Sequence, residues 1–178
     1  GDEDGRGHGL EIQKEVKMKK CVECGCTKLS KSLVEHEYLK GSGLEVIVGG
    51  VVRWDCSQCG EFYVELKDTG VIDKALVRHI IGQPRRLGGR ELKFLRRMMG
   101  WSAKDLSTYF QVPATTVSKW ENDERSPGKP IDLFLRMLAA QHFGLAFTLE
   151  TAPEIRQDKP EVYEPVHVTQ RDAWVVAA

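Results

Sequence analysis

Four of the five cysteines in this 178-residue chain form two C-x-x-C pairs, and this arrangement constrains the fold more than any other feature. The pairs are Cys21/Cys24 and Cys56/Cys59; each is followed directly by glycine, and 31 residues separate them. A tetrahedral Zn²⁺ site needs four soft ligands that converge from two chain segments. A C-x-x-C turn supplies two thiolates from one tight knuckle. The spacing therefore predicts one structural Zn²⁺ per chain, bound by these four cysteines.

Other uses of the cysteines fit the pattern less well. Four protein ligands leave no open coordination position, which indicates a structural rather than a catalytic metal site. A redox C-x-x-C usually opens a helix inside a βαβ unit, and neither pair has that setting. Iron and disulfides remain alternatives. Cys26 lies close enough to compete with Cys24 as a ligand, but the symmetric pairs are preferred. His36 is interpreted as a surface or half-buried residue of a strand rather than as a ligand.

The segment around the cysteines reads as β structure. Strand-like runs cover 33–40, 44–54 and 61–66, and a Gly-Ser-Gly turn joins the first two. A domain of about 50 residues rarely buries enough apolar surface to fold without a staple. We predict a small, β-rich, zinc-ribbon-like domain at 18–68, in which zinc provides that staple, followed by a helix and linker at 69–89.

The next segment, 90–144, is predicted to be all helical. Its turn signals are Gly100, the N-cap residue Ser102, Pro113, and Pro130 at a helix start. They divide the segment into helices at about 90–99, 102–110, 114–122 and 130–142. Two short helices around a tight break, inside a four-helix block, are typical of a helix-turn-helix. The fold class is therefore α+β, with a zinc-ribbon-like domain followed by an all-α helix-turn-helix domain.

Charge supports a nucleic-acid partner for the helical segment. The chain as a whole has zero formal net charge, but residues 82–129 carry ten bases against five acids, a net charge of +5. Short hydroxyls and one lysine lie on the outward face of the third helix, whose start would enter the major groove, and a serine and a lysine at the N-terminus of the second helix would meet phosphate. The predicted DNA-binding residues are Ser102, Lys104, Thr115, Thr116, Ser118 and Lys119. Arg85 and Arg86 in the linker are weaker candidates for the DNA backbone or minor groove.

The apolar residues of the helical block predict its core. Those expected to pack together are Leu92, Leu95, Met99, Leu106, Val117 and Trp120. Trp120 is interpreted as core rather than as a base-stacking platform. On the last helix, the stripe Ile131/Phe134/Leu138 is assigned to the core. The second stripe, Leu133/Met137, needs another partner, either a second subunit that completes a homodimer on a palindromic site or the 145–178 tail.

The remaining features narrow the class of protein. No apolar run approaches the roughly 18 residues of a membrane span, and no signal-peptide pattern is present. We therefore expect a soluble cytoplasmic protein of a bacterium or archaeon. Residues 1–17 are polar and glycine-rich and are assigned no fold, and the 145–178 tail is predicted to be mostly extended, with a short strand possible at 145–149. No phosphate loop and no catalytic triad order is present, so no enzymatic activity is expected.

Two motifs together resemble a known family. Glu91–Arg97, Trp101–Leu106 and Val117–Asn122 resemble an Xre/Cro-type helix-turn-helix. The paired cysteines, ending in Cys56–Glu61, resemble the zinc domain of the MqsA family of antitoxins, and the order of the two domains is also that family's. The resemblance covers about residues 18–143.

The resemblance implies a function and a set of partners. The zinc domain of such antitoxins binds a cognate RNase toxin, and the helical domain dimerises on a palindromic operator and represses the operon. Family members read bases with an Asn and an Arg where this chain has Thr115 and Lys119, so a different operator is expected. Ala103 replaces a glutamine that usually contacts DNA. The alternative is a free-standing zinc-ribbon Xre regulator without a toxin.

Overall fold

A computed structural model of the chain describes residues 20–155, 159–160, 162–170 and 174–176. The expectations for residues 1–17 lie outside this range. The elements, in chain order, are β1 (Leu29–Tyr38), β2 (Val46–Cys56), β3 (Phe62–Glu65), α1 (Thr69–Ile81), α2 (Gly89–Met98), α3 (Ala103–Tyr109), α4 (Ala114–Glu121), α5 (Lys129–His142), β4 (Val166–Gln170) and β5 (Trp174–Val176). A strand-rich N-terminal part thus precedes a helical part, and the predicted α+β class is confirmed.

The chain divides into two compact units. Among the described residues, a small cysteine unit contains 20–32 and 53–63, and a large unit contains 33–52 together with the residues from 64 onward. This division differs from the sequence ranges 18–68 and 90–144. From the segment 33–52, Tyr38, Leu44, Val46, Val48 and Val51 are buried in the same core as the helices.

The strands of the N-terminal part begin and end a few residues away from the predicted runs. β1 starts at Leu29 instead of 33, and its first residues are exposed and polar, so the apolar pattern does not mark them. In the cysteine unit, the Ser57 amide donates to the Lys28 carbonyl at 3.3 Å, and the Ser30 hydroxyl donates to the Asp55 carbonyl at 3.4 Å. Backbone pairing therefore extends β1 beyond its hydrophobic stretch.

The C-terminal tail completes the sheet. The strand order is β1-β2-β4-β5, and β3 also pairs with β2. β4 pairs in parallel with β2, with Val46 opposite Val166 and Val48 opposite Val168. Val168 is fully buried, which shows that the tail contributes to the core. The short strand considered at 145–149 does not form among the described residues.

The helices begin and end close to the limits predicted from the turn residues. α1 spans the predicted 69–81, and each of the next four helices begins and ends within one residue of its predicted limits. The residues assigned to the core of the helical block, Leu92, Leu95, Met99, Leu106, Val117 and Trp120, are all buried. The turn residues and the apolar spacing were sufficient to place these helices.

The buried face of α5 differs from the prediction. Leu135 and Ala139 are buried, whereas Phe134, which the stripe Ile131/Phe134/Leu138 assigns to the core, is 43% exposed. The fully buried face also includes Asp132 and Arg136, which lie one turn apart. Charged residues were not expected inside, so the apolar pattern alone gave the wrong face.

The Asp132/Arg136 pair holds the segment between α1 and α2. The Arg136 guanidinium donates to Asp132 at 2.7 Å and to the carbonyls of Ile81 and Gln83, each at 2.8 Å. The second Asp132 oxygen accepts the Leu87 amide at 2.7 Å. These backbone groups have no helix or strand partner, so the buried ion pair satisfies polar groups that would otherwise be costly to bury.

Gly89 allows α2 to approach the end of α4 closely. A Cβ at position 89 would lie 2.5 Å from the Trp120 carbonyl oxygen and 2.6 Å from that of Glu121. We expect Gly89→Ala to lower the free energy of unfolding by about 1–3 kcal/mol, because backbone must shift to admit the methyl group. Urea denaturation followed by circular dichroism measures this change.

The matched control for this prediction is Gly70→Ala in α1, where nothing lies within 4 Å of the added Cβ. This variant should be neutral or more stable by up to about 1 kcal/mol, since alanine reduces the entropy of the unfolded chain. Equal stability changes at the two positions would contradict the close approach of α2 and α4.

Candidate metal centre and nucleic-acid interface

The two C-x-x-C-G turns adopt the same local structure. Gly25 and Gly60 have φ angles of +72° and +75°, a region that favours glycine. The Gly25 amide donates to the Cys21 carbonyl at 3.0 Å, and the Gly60 amide donates to the Cys56 carbonyl at 3.1 Å. In each knuckle the first cysteine is buried and the second is exposed. The repeated geometry explains why glycine follows both pairs.

A second hydrogen bond closes each knuckle and identifies the position of the fifth cysteine. The Cys21 amide donates to the Cys26 carbonyl at 2.8 Å, and the Cys56 amide donates to the Glu61 carbonyl at 2.9 Å. Cys26 therefore occupies the place that Glu61 has in the other knuckle. Its Sγ accepts the Lys28 amide at 3.3 Å and is not among the clustered thiols.

The four paired cysteines converge on one point. Their sulfur atoms all lie within 4.8 Å of one another, and the Sγ–Sγ distance is 3.6 Å both for Cys21/Cys59 and for Cys24/Cys56. Tetrahedral coordination with metal–sulfur bonds of about 2.3 Å requires sulfur atoms about 3.8 Å apart. The donor set therefore fits one four-coordinate metal ion, with each knuckle supplying two ligands.

The thiols of this cluster do not ionise alike. The Tyr63 hydroxyl and a backbone hydrogen bond at Cys24 lower the pKa of Cys21 to about 6. A backbone hydrogen bond at Cys26 favours the Cys24 thiolate, but desolvation and the neighbouring thiols together raise the pKa of Cys24 to about 12. Four thiolates at this spacing repel one another, so a cation is needed to hold all of them in the ionised form.

Tyr63 is a site residue that sequence reasoning did not identify. Its hydroxyl lies 3.3 Å from the Cys21 Sγ and accepts the amides of Val22 at 3.2 Å and Glu23 at 3.4 Å. It thus binds the first knuckle from β3, which follows the second. The sequence shows only that Tyr63 lies four residues after Cys59, and a tyrosine at this position is equally typical of an ordinary strand.

The second site is formed by α3, α4 and the turn between them. Ser102 caps α3: the Asp105 amide donates to its hydroxyl at 3.1 Å, and Asp105 accepts the Ser102 amide at 2.7 Å. The turn runs from Phe110 to Pro113, and Gln111 within it has a φ angle of +52°. The predicted contact residues Ser102 and Lys104 are both exposed at the start of α3.

α4 has one buried face and one exposed face. Val117 and Trp120 are 0% and 4% exposed, as expected for core residues. On the other side, Thr115, Ser118 and Lys119 are exposed, and Thr116 is half-buried. The four predicted contact residues of α4 therefore lie outside its buried face, and the hydroxyl and ammonium groups of the three exposed ones are at the protein surface.

α4 is fixed in place by a residue pair that the sequence analysis did not single out. The Arg96 guanidinium forms a bidentate ion pair with Glu121 and also donates to the Trp101 carbonyl. The side chains of Arg96 and Glu121 are only 8% and 10% exposed. The pair connects α2 with the end of α4, so it orients the helix that carries the contact residues.

A comparison with protein-family models assigns this region. The segment 92–131 matches the model described as "Helix-turn-helix". Residues 92–131 form an Xre-type helix-turn-helix domain. Such domains are found in DNA-binding transcription regulators, and α2 to the start of α5 are its elements here. No curated protein and no solved structure matches the chain. Across the described residues, no helix combines the length and apolar character needed to cross a membrane.

The two linker arginines before the helix-turn-helix domain bind within the protein. Arg85 forms a bidentate ion pair with Glu91, with both N–O distances at 2.7 Å. Arg86 donates to the Pro127 carbonyl at 2.6 Å. Each guanidinium therefore has a structural role, because it binds a polar group beside the helix-turn-helix domain, and the contact of these arginines with DNA stays a prediction.

A C-terminal strap, defined here as residues 159–160 and 162–165, contacts the end of the recognition helix α4. The Tyr163 hydroxyl donates to Asp123 at 2.9 Å, and Lys159 forms an ion pair with Asp123 at 2.9 Å. Asp123 also accepts the Gly89 amide at 2.9 Å. Burial opposes ionisation of Asp123, but these hydrogen bonds hold its pKa below the ordinary value. The tail thus supports the helix-turn-helix domain.

Proposed function

We propose that the protein is a sequence-specific transcriptional repressor that acts as the antitoxin of a type II toxin–antitoxin pair. The observation that carries the DNA-binding part is α4, which packs Val117 and Trp120 inward and leaves Thr115, Ser118 and Lys119 at the surface. Helices of this motif enter the major groove with their N-terminal residues. The Thr115 hydroxyl lies in the first turn of α4 and the Lys119 ammonium group in its last turn, and both kinds of group suit contacts with base edges and phosphates.

Lys119 provides the sharpest test of DNA reading. We expect Lys119→Ala to weaken binding to the cognate DNA by about 1–3 kcal/mol and to relax specificity at one base position, if Lys119 reads a base. The cognate sequence is first selected from a randomised duplex library with the wild-type protein. Fluorescence anisotropy with that duplex then measures the affinity of both proteins at one fixed salt concentration.

The control is Lys40→Ala, which removes an exposed lysine outside the helix-turn-helix domain whose side chain is 84% exposed. This variant should retain the wild-type affinity. Equal losses in the two variants would indicate only general electrostatic attraction, and no loss at Lys119 would place the recognition surface elsewhere.

The proposed DNA-bound form is a homodimer on a palindromic operator, with half-sites about 34 Å apart. Tyr109 and Phe134 support it: they are 48% and 43% exposed, and their rings stack with centroids 6.1 Å apart. Together they form an apolar patch between α3 and α5. Leu133 and Met137, the residues first considered for this role, are half-buried beside Phe134 on α5.

Phe134→Glu is expected to weaken dimerisation by about tenfold or more, since it places a charge in an interface that buries two aromatic rings. Analytical ultracentrifugation measures the dimer dissociation constant. Gln141→Glu introduces the same side chain at an exposed position of α5 and should leave the constant unchanged. Wild-type protein that stays monomeric at high concentration would contradict the dimer.

The cysteine cluster is proposed to bind one structural Zn²⁺ per chain. Zinc accepts four thiolates in tetrahedral geometry, which the Sγ–Sγ distances of 3.6 Å match. Cys21, Cys24, Cys56 and Cys59 would fill every coordination position. Because no position remains for a substrate or an activated water, we assign the site no catalysis and the protein no enzymatic activity.

The proposed toxin partner, an RNase, would bind the cysteine unit. Val22 and Phe62 of this unit are 75% and 47% exposed, so their side chains contribute little to its core and are accessible to a partner. Exposed apolar residues with a polar surround are typical of protein-binding surfaces. The order of the two domains, which resembles that of MqsA-type antitoxins, supports the same partner.

The test of the antitoxin function uses the product of the gene next to its own. The two proteins are co-expressed, and native mass spectrometry measures the complex. A zinc-loaded dimer that carries this product, together with inhibition of its RNase activity, would support the proposal. Val22→Asp should weaken the complex, and Cys26→Ser should not. A zinc-loaded dimer without a bound toxin would favour the alternative, a free-standing zinc-ribbon regulator.

A further inference from the structure

A cavity of about 560 Å³ lies within the large unit. It is bounded by α1, the segment leading into α2, and the C-terminal strap with β4 and β5. Its volume falls in the range of about 300–1,000 Å³ that is usual for small-molecule sites. The proposed DNA contacts lie on α3 and α4 and do not include any residue of this cavity.

Part of the lining is aliphatic. Leu44 and Ile80 are buried, Val166 and Val176 are partly buried, and Pro160 and Pro165 of the strap add further apolar surface. Such a lining favours a ligand with an apolar body, because transfer of that body from water is favourable by roughly 25 cal/mol per Å².

The polar part of the lining includes one ion pair and, at its exposed rim on the C-terminal side, Glu164 and His167. Arg85 and Glu91 neutralise each other through their bidentate pair. The Gln83 amide nitrogen lies 3.0 Å from His79 Nε2, so this ring nitrogen accepts and the imidazole is uncharged in this arrangement. Burial lowers the pKa of His79, which favours the same form. The Gln83 side chain still has its carbonyl oxygen as an acceptor, and the neutral His79 ring still has its Nδ1–H as a donor.

A charged ligand would disturb this arrangement. Beside the ion pair, a carboxylate would compete with Glu91 for Arg85, and a cation would compete with Arg85 for Glu91; a cation at the rim could contact Glu164, but that carboxylate is exposed to water, which weakens such a pair. Either exchange leaves a buried charge without its partner, which is costly. An amide-like group, in contrast, offers both a donor and an acceptor and can hydrogen-bond with Gln83 and His79 while the ion pair stays intact.

We propose that this cavity binds an uncharged small molecule that has an apolar body and one amide-like polar end. Such a ligand would contact the strap on one side, through Tyr163 and Pro165, and on the other side Ile80 of α1 and Gln83 directly after that helix. It would therefore stabilise the docked strap, which holds Asp123 at the end of α4. This coupling to DNA affinity rests on the proposed function, whereas the binding itself does not.

Three nearly isosteric probes separate the possibilities: benzamide, benzoate and benzamidinium. Each is titrated into the full-length, zinc-loaded protein labelled with ¹⁵N, and the amide shifts of His79, Gln83 and Val166 are followed. Benzamide should bind with a dissociation constant on the order of 1 mM, as expected for a ligand of this size. The two charged probes should bind about tenfold more weakly or not at all.

Matched variants test the site itself. Gln83→Leu should weaken benzamide binding by about fivefold to tenfold, since it removes one hydrogen-bonding group. Gln141→Leu, the same change at an exposed position of α5, should have no effect. Tighter binding of benzoate or benzamidinium would overturn the uncharged class, and the absence of shifts with all three probes would overturn the site.

The coupling has its own readout. Saturating benzamide should slow hydrogen exchange of the Tyr163 and Val166 amides and increase affinity for the selected duplex in the anisotropy assay. Slower exchange without a change in DNA affinity would overturn the coupling but leave the ligand site in place. Failure of the protein to bind any duplex would refute the proposed function and leave the benzamide titration interpretable.

Discussion

Cys56→Ser is expected to abolish metal binding and to unfold the cysteine unit while the large unit remains folded. Structural zinc supplies about 10–16 kcal/mol of folding free energy in small zinc domains, so its loss exceeds what the few buried residues of this unit can offset. Its described residues 20–32 and 53–63 include only Cys21, Trp54 and Cys56 among the buried apolar residues. Metal analysis and ¹H–¹⁵N correlation spectra measure the two effects.

Cys26→Ser is the matched control for this expectation, because it removes the one thiol that lies outside the cluster. It should retain one Zn²⁺ per chain and the wild-type spectrum. Substitution of the wild-type protein with Co²⁺ should give the strong thiolate charge-transfer bands of a tetrahedral four-sulfur site. Loss of metal in Cys26→Ser, or its retention in Cys56→Ser, would show that the ligand set is wrong.

Arg136→Ala is expected to lower the free energy of unfolding of the large unit by about 3–5 kcal/mol, because it leaves the Asp132 carboxylate buried without its partner. Both side chains are fully buried. The substitution also removes the donors to the Ile81 and Gln83 carbonyls. Urea denaturation of the zinc-loaded protein, followed by tryptophan fluorescence, measures the change.

Arg125→Ala serves as the control, since it truncates an exposed arginine of the same unit, and its effect should stay within about 0.5 kcal/mol. A second variant isolates the unpaired charge. Asp132→Asn in the Arg136→Ala background should recover part of the lost stability, because an amide is less costly to bury than a carboxylate. A loss below about 1 kcal/mol in Arg136→Ala would contradict the buried network.

The C-terminal strap also helps to fix the helix-turn-helix domain, through Asp123. Asp123 lies in the left-handed region, with a φ angle of +61°, directly after α4, and its carboxylate accepts from Gly89, Lys159 and Tyr163. A Cβ at Gly88 would overlap the Tyr163 hydroxyl. The glycine pair at the start of α2 therefore admits both the strap and the end of α4.

Local rules were enough to predict the helices and the cluster of four cysteines. Ser102, Pro113 and Gly100 each act through their own backbone or the adjacent turn, so their effect is visible in the sequence. The C-x-x-C-G knuckles are likewise local structures, and the pairing of Cys21/Cys24 with Cys56/Cys59 follows from ligand chemistry. The exposed contact residues of α4 followed from the position of Val117 and Trp120 on its buried face.

Features that depend on distant partners were not predicted. The face of α5 was assigned wrongly because Asp132 and Arg136 read as surface residues, and only the unpaired backbone groups of residues 81–87 make their burial favourable. Arg85 read as a DNA contact because its partner Glu91 lies across a turn. The pairing of the tail with the sheet was not predicted, because Val166 and Val168 become buried only beside Val46 and Val48, which are distant in the sequence.

The sequence by itself determined the α+β class, the helix-turn-helix and the four converging cysteines, since each depends on residues close together in the chain or on ligand chemistry. Tertiary structure alone decided which polar groups are buried, that β4 joins β2, and that Lys159 and Tyr163 hold Asp123. The physical reason is that a buried charge or an added strand is stable only when its partner is already in place, and no local pattern records that partner.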